Sequence, residues 1–290
     1  MPKIDPDKIA YVGDSLGAIE GATAAAIEPN VKAWTLNVGG GGILQEIAAH
    51  GPVVNAQLSL AGSLNFGFLG GQYSEGHPVV AIGQALADGG DPIAYADKIV
   101  KSPMPLAGAP TKPRNVFQIE VLYDELVANE GNEALARAGG WSMATPNVGL
   151  NAGVGDRVSR APYRGGGIVL PMIEPDATGF HDTPIAGITA LVAQVSPATH
   201  GADLHRSKSN RSYRIPFNDP QGHLVVDRLN KSFDAPCPYR ELQDAMVRFF
   251  DDAFAGKVPT ITGLPAPKRD LDADGAPDEV DPAPADPAAK

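Results

Sequence analysis

The sequence contains a single cysteine, Cys237, so no disulfide bond can form within the chain. Basic residues are also scarce, since 23 lysines and arginines stand against 34 aspartates and glutamates, for a net charge of -11. Nucleic-acid binding needs a basic face, so this balance excludes nucleic acid as a partner and favours small neutral substrates. The sequence also lacks an apolar run of the about 20 residues that span a membrane, and residues 1–10 do not resemble a signal peptide.

Hydrophobic residues make up 43% of the 290 residues, which is enough to form a buried core. Short apolar runs predict strands at residues 8–12, 31–38, 116–122 and 188–195, and a further edge strand at 223–229. Helical spacing predicts helices at residues 16–27, 129–138 and 239–254, the last with an apolar stripe that packs on the sheet. Alternating strands and helices predict an α/β fold with a parallel sheet flanked by helices, whose functional site lies at the carboxyl ends of the strands.

The chain divides into four predicted segments. Residues 1–50 and 114–256 form the core, and residues 51–113 are too long for a plain loop, which indicates a cap or lid inserted after the second strand. Residues 257–290 form an acidic tail rich in proline, alanine and aspartate, with no period that could bury a core.

The first predicted strand and helix are joined by a Gly-x-Ser-x-Gly sequence at residues 13–17. At such a sharp turn the small residues let the backbone double back, and the serine is exposed as a nucleophile. Its hydroxyl needs a histidine to accept the proton and a carboxylate to orient that histidine. Ser15, Asp124 and His200 follow three predicted strands in the order of an α/β-hydrolase triad. Glu125 is the alternative acid, whereas His205 lies in a polar run typical of a surface loop.

Three stretches, at residues 13–42, 123–140 and 194–201, resemble motif regions of secreted bacterial α/β-hydrolases of the lipase and esterase type. The resemblance implies Ser15 as nucleophile, Asp124 as acid and His200 as base, with the backbone N–H of Leu16 in the oxyanion hole. It also implies cleavage of carboxylic esters without a catalytic cofactor, and an extracellular or cell-envelope location for the full-length relatives.

The resemblance covers only the second half of that fold, over residues 4–256, so the N-terminal strands are expected to be missing. One of those strands would carry the second oxyanion donor. The glycines at residues 39–42 could supply a substitute donor or simply form a tight exit from the second strand. The nucleophile strand is expected at the sheet edge, where the chain can self-associate. A catalytically weak or silent half that needs an N-terminal half is therefore the alternative to an active esterase.

The tail contains the sequence DLDADGAPDEVDP at residues 270–282, which resembles a thrombospondin type 3 calcium repeat. Carboxylate oxygens are the ligands that calcium prefers in proteins. The resemblance implies a calcium site made of the five aspartates Asp270, Asp272, Asp274, Asp278 and Asp281. The alternative is a solvated acidic linker, because a single repeat has little around it to hold its shape.

Overall fold

The structure, a computed structural model, describes residues 4–66, 76–105, 112–122, 124, 126–145, 170–195, 198, 200, 211–218, 224–231 and 238–267. Its main sheet has seven strands: β1 (Ala10–Asp14), β2 (Ala33–Asn37), β3 (Asn115–Val121), β4 (Ser142–Ala144), β5 (Met172–Ile173), β6 (Pro184–Ile185) and β7 (Ile188–Val195). The strand order is β1-β2-β3-β7-β4-β5, with all neighbours parallel, and β6 pairs antiparallel with β7. The predicted α/β architecture with a parallel sheet is therefore confirmed.

Helices connect these strands. The α-helices are α1 (Leu16–Ile27), α2 (Pro52–Phe66), α3 (Pro78–Ala87), α4 (Asn129–Gly139) and α5 (Tyr239–Phe254). A π-helix (Ile43–Ala48) and two short 3₁₀ helices (Pro92–Ala94 and Ala96–Lys98) lie between β2 and β3. The three helices expected from periodicity are α1, α4 and α5. None of the helices in the described part of the chain combines the length and apolar character needed to cross a membrane.

Helices cover both faces of the sheet. On one face, α1 and α4 pack with the second 3₁₀ helix and the residues after it, so that Ala96 and Ile99 lie in the same buried cluster as Trp34 and Leu135. On the other face, the apolar stripe of α5 packs on the strands, and the ring of Phe249 lies 5.9 Å from the ring of Phe117. Full burial of a large apolar side chain stabilises the folded state by about 1.5–3 kcal/mol, so these two layers hold the sheet in place.

The π-helix after β2 is capped by side chains that lie about forty residues later in the chain. Asp91 accepts hydrogen bonds from the backbone N–H groups of Gly42 and Ile43, at 2.9 and 2.7 Å. Gln84 accepts from the next two N–H groups, at 2.9 and 3.2 Å, and donates to Asp91 at 2.8 Å. Because the first N–H groups of a helix have no partner within it, these contacts stabilise the π-helix and join α3 to the core.

The strand predicted at residues 223–229 is present, but its placement at the edge of the main sheet is wrong. It is β9 (Leu224–Lys231), which pairs antiparallel with β8 (Arg211–Asn218) in a separate two-stranded sheet. A neighbour a few residues away in sequence is reached at a low entropic cost of loop closure, which favours this local pairing. The hairpin contacts α2 through β8.

β1 lies at the edge of the sheet, as expected for the strand before Ser15. Among the described strands it pairs with β2 alone, from Ala10 opposite Ala33 to Asp14 opposite Asn37. The side chain of Val12, in the middle of β1, is 50% exposed. An edge strand that exposes an apolar side chain is a template for pairing with a strand of another chain.

We expect the isolated chain to self-associate through β1 as its concentration rises. Val12→Lys should keep the chain monomeric, because a charged side chain in the middle of an edge strand opposes edge-to-edge pairing. Light scattering across a concentration series measures the effect. Val247→Lys is the matched control, since Val247 on α5 is 56% exposed but far from the edge in sequence. A wild-type chain that stays monomeric at high concentration would contradict the expectation.

Candidate active site

Ser15 occupies the turn between β1 and α1 in a strained backbone conformation. Its φ is 55° and its ψ is -120°. A non-glycine residue with positive φ costs about 1–3 kcal/mol and persists only where the surroundings hold it. Here the Ser15 N–H donates to the carbonyl of Asn37 at 3.0 Å, and the Ser15 carbonyl accepts from the N–H groups of Ala18 and Ile19 at 2.9 and 3.1 Å. Although Ser15 is the N-cap residue of α1, its side chain makes no capping bond to the helix.

Tight contact between β1 and the first turn of α1 makes this conformation possible. A Cβ atom on Gly13 would overlap the carbonyl of Gly17, so the backbones touch at that point. The Tyr11 hydroxyl donates to the same carbonyl at 2.7 Å, and its ring lies 5.0 Å from the ring of Trp34. Burial, and then the charge of Glu20, raise the pKa of Tyr11, so the phenol stays protonated and keeps its role as donor.

The ends of β1 and β2 are joined by a side-chain contact. Asn37 Nδ2 donates to Asp14 Oδ1 at 2.5 Å, just before the turn that carries Ser15. Asn37 is fully buried, and its backbone carbonyl is the one that binds the Ser15 N–H. This residue therefore fixes the turn from two sides. The sequence offers little signal for it beyond an asparagine at the end of an apolar strand.

Asp124 lies just beyond β3 and is only 2% exposed. Its Oδ1 accepts hydrogen bonds from the backbone N–H groups of Leu126 and Val127, at 2.8 and 3.0 Å. These bonds hold the side chain at the start of its turn.

His200 lies beyond β7 and contacts this carboxylate. Its Nδ1 is 2.9 Å from Oδ1 and 2.8 Å from Oδ2 of Asp124. Both side chains are largely buried, which strengthens the interaction relative to one in water. With the proton on Nδ1 donated to the carboxylate, Nε2 becomes the basic nitrogen of the ring.

The structure therefore brings Asp124 and His200 together, and it places Ser15 at the same end of the sheet, where the strands have their carboxyl ends. β1, β2, β3 and β7 are consecutive in the sheet, and the three residues follow the carboxyl ends of β1, β3 and β7. Parallel strands lie about 4.8 Å apart, so β1 and β3 are separated by about 10 Å. For a triad, the His200 side chain has to lie between the ends of β1 and β3.

Leu16 is the first residue of α1, and its side chain is 63% exposed beside Ser15. N–H groups in the first turn of a helix have no acceptor within it, and the helix dipole favours negative charge there. The role of Leu16 as an oxyanion donor stays a prediction.

The glycines after β2 pack against two helices. A Cβ on Gly39 would overlap Ala18 of α1, and a Cβ on Gly40 would lie 2.7 Å from the Gly131 backbone of α4. The Gly41 N–H donates to the Gly131 carbonyl at 3.0 Å. Close approach to both helices is the physical reason for these glycines, in keeping with a tight exit from the strand.

His181 also contacts carboxylates, and its geometry differs from that of His200. Its Nε2 lies 2.8 Å from Asp176 and its Nδ1 lies 2.9 Å from Asp182. These hydrogen bonds, the one to Asp176 first, raise the pKa of His181. Because both ring nitrogens contact carboxylates, neither is placed to take the proton of a serine hydroxyl, so His181 does not suit the role of the base.

Several residues named from the sequence lie outside the described residues: Glu125, His205, Cys237 and the tail aspartates Asp270, Asp272, Asp274, Asp278 and Asp281. Within the described residues, no group of three or more histidine, cysteine, aspartate or glutamate side chains could hold a metal ion.

The two glycines of the motif should respond differently to substitution by alanine. Gly13→Ala should destabilise the chain by about 1–3 kcal/mol, because the added Cβ has to displace backbone. Gly17→Ala should be neutral or stabilise by up to about 1 kcal/mol, since the nearest atom to its Cβ is the Tyr11 hydroxyl at 3.9 Å and alanine favours helix. Chemical denaturation measures both. Equal losses in the two variants would show that the turn is not closed by Gly13.

No family model and no curated protein matches this chain. Among solved structures, the chain is similar to a puromycin-hydrolysing peptidase of Mycobacterium tuberculosis, with a TM-score of 0.31 and 17% sequence identity. The match covers 68% of this chain and 19% of that one, so the chain spans about a fifth of the peptidase's length. The assignment of a function therefore rests on the geometry of the site.

Proposed function

We propose that the protein is a serine hydrolase that cleaves carboxylic esters through Ser15, His200 and Asp124. The observation that carries the proposal is the hydrogen bond from His200 Nδ1 to the buried carboxylate of Asp124, at 2.8 Å. An aspartate in this position fixes the tautomer of the histidine and stabilises the imidazolium that forms during acyl transfer. The strained turn at the carboxyl end of β1 supplies the third group, the hydroxyl of Ser15.

In the proposed reaction, His200 Nε2 takes the proton of the Ser15 hydroxyl as its oxygen attacks the ester carbonyl. The tetrahedral intermediate collapses when the histidine gives that proton to the departing alcohol, which leaves an acyl group on Ser15. Water then attacks the acyl group while the histidine takes its proton, and the acid departs as the serine is protonated again. Asp124 orients His200 throughout and does not itself take a proton.

The negative charge of each tetrahedral intermediate would lie at the N-terminus of α1. There the Leu16 N–H is the proposed oxyanion donor. Removal of one such donor commonly costs about a hundredfold to a thousandfold in rate.

The substrates we propose are acyl lipids or short-chain esters. The exposed side chain of Leu16 places an apolar surface beside Ser15, which suits an acyl chain. The net charge of -11 disfavours strongly anionic substrates.

A second candidate is a hydrolase half that becomes active only when a separate N-terminal half is supplied. The position of β1 at the sheet edge favours it, because a strand of another polypeptide could pair beside the nucleophile turn. This partner could also supply the second oxyanion donor.

Labelling with a fluorophosphonate probe tests the nucleophile, because the probe reacts with an activated serine hydroxyl. Ser15→Ala and His200→Ala should abolish labelling, and Asp124→Asn should lower kcat on p-nitrophenyl esters by about 10⁴-fold, since the histidine loses its orientation. Ser102→Ala is the serine control, and His205→Ala tests the neighbouring histidine; both should keep most of the labelling.

Esters of graded chain length then define the substrate. Turnover by the isolated chain would exclude the second candidate. Labelling that persists in Ser15→Ala, or that is lost in His205→Ala but not in His200→Ala, would overturn the proposed site.

A further inference from the structure

A fully buried polar cluster lies between the sheet and α4. Its members on the strands are Gln118 and Glu120 of β3 and Gln194 of β7. α4 contributes Asn129, Glu130, Asn132 and Glu133 from its first turns, all of them at most 3% exposed. Burial of polar groups is costly unless they are hydrogen-bonded, so a cluster of this size suggests a role beyond packing.

Glu120 connects the elements of this cluster. It stands opposite Gln194 in the pairing of β3 with β7, and Gln194 Nε2 lies 3.3 Å from Glu120 Oε2. The Asn129 side chain also acts on the Glu120 carboxyl, whose pKa it lowers. Asn129 Nδ2 donates in addition to the carbonyl of Val121, the last residue of β3, at 2.7 Å. Two strands and the first turn of α4 thus meet at one carboxyl group.

The charges around Glu120 favour its neutral form. Glu133 of α4 is the acid whose charge acts on Glu120, and it is paired with Arg137 of the same helix, whose Nη1 lies 3.2 Å from Glu133 Oε2. β7 contributes the uncharged Gln194 to this site, and the buried Glu130 lies next to Asn129 on α4. Burial first, and then the charge of Glu133, raise the pKa of Glu120 well above its ordinary value, against smaller opposing effects of Gln194, Asn129 and Arg137.

The cluster adjoins both members of the acid and base pair. Asp124 lies four residues beyond Glu120, in the turn that Asn129 closes by bonding to Val121. His200 lies six residues beyond Gln194 at the end of the neighbouring strand. A change at Glu120 can therefore move the acid and the histidine relative to each other.

We propose that Glu120 is a positioning residue for Asp124 and His200, and that in its neutral form it ties β3, β7 and α4 together at the base of the two loops that carry them. The proposal rests on the proposed function of that pair. Ionisation of Glu120 would leave a buried charge that Arg137 cannot neutralise together with Glu133. The surrounding contacts would then rearrange and misplace Asp124.

The test compares the pH dependence of kcat in isosteric variants, between about pH 5 and about pH 10. In the wild type, ionisation of Glu120 should make kcat fall at alkaline pH. Glu120→Gln keeps the shape and the neutral charge, so its kcat at neutral pH should be within about twofold of wild type, and it should not show the alkaline fall. Glu133→Gln should move that fall to lower pH, because the charge that raises the pKa of Glu120 is gone. Glu120→Ala should lower kcat by about tenfold to a hundredfold with little change in KM.

Thermal unfolding gives a second readout that does not depend on activity. A carboxyl whose folded pKa lies above its unfolded value of about 4.3 keeps a proton that the unfolded chain loses. Stability therefore falls as pH rises from the unfolded pKa through the folded pKa. Glu120→Gln should melt at the same temperature as wild type near pH 4 and at a higher temperature under alkaline conditions.

The two hypotheses can fail separately. If Ser15 is labelled by the fluorophosphonate but the alkaline fall in kcat is the same in wild type and Glu120→Gln, the positioning role is wrong and the hydrolase stands. If labelling does not depend on Ser15, the proposed function is wrong, and the positioning role falls with it.

Discussion

The site depends on the contact between the backbones of β1 and α1 at the Ser15 turn. Gly13 lies against the Gly17 carbonyl, and Tyr11 binds that carbonyl from the other side. This closeness forces Ser15 into a positive φ, which the carbonyl of Asn37 and the first turn of α1 stabilise. A serine in an ordinary N-cap conformation would turn its hydroxyl to the helix N–H groups. Here the Ser15 side chain makes no such bond to α1.

The contact between Asp124 and His200 is built in a different way. Asp124 is held by two backbone N–H groups, and its turn is closed by Asn129, so the carboxylate has little freedom when it contacts His200. The buried polar residues of α4 extend this group of polar side chains from the strand ends into the interior. A cluster of this kind is costly to bury, and the hydrogen bonds that its members make favour one arrangement of the strand ends over others.

The sequence was sufficient to predict the elements that have a strong local pattern. α1 and α5 begin and end where periodicity places them, and β7 matches its apolar run. The hairpin partner β8 was missed because the run RSYRIPFN mixes charged residues with a proline and has no clear alternation. The π-helix was missed for another reason, since it depends on caps from Gln84 and Asp91 that no local pattern reveals.

The same distinction applies to the site. Ser15, Asp124 and His200 could be named because their residue types and order carry chemical meaning. Asn37, Glu120 and Asn129 could not, because their importance comes from contacts between separate elements of the fold, which no local sequence pattern reveals. An isolated buried glutamate in an apolar strand was the only available signal for Glu120.

The central claim is that Ser15 carries an acyl group during turnover. Rapid acid quenching of the chain with a p-nitrophenyl ester, followed by mass spectrometry of its peptides, tests this directly. The account predicts that the acyl group is found on Ser15 and that it does not form in His200→Ala. Turnover with the acyl group on another side chain, or with no acyl group on the protein at all, would contradict it.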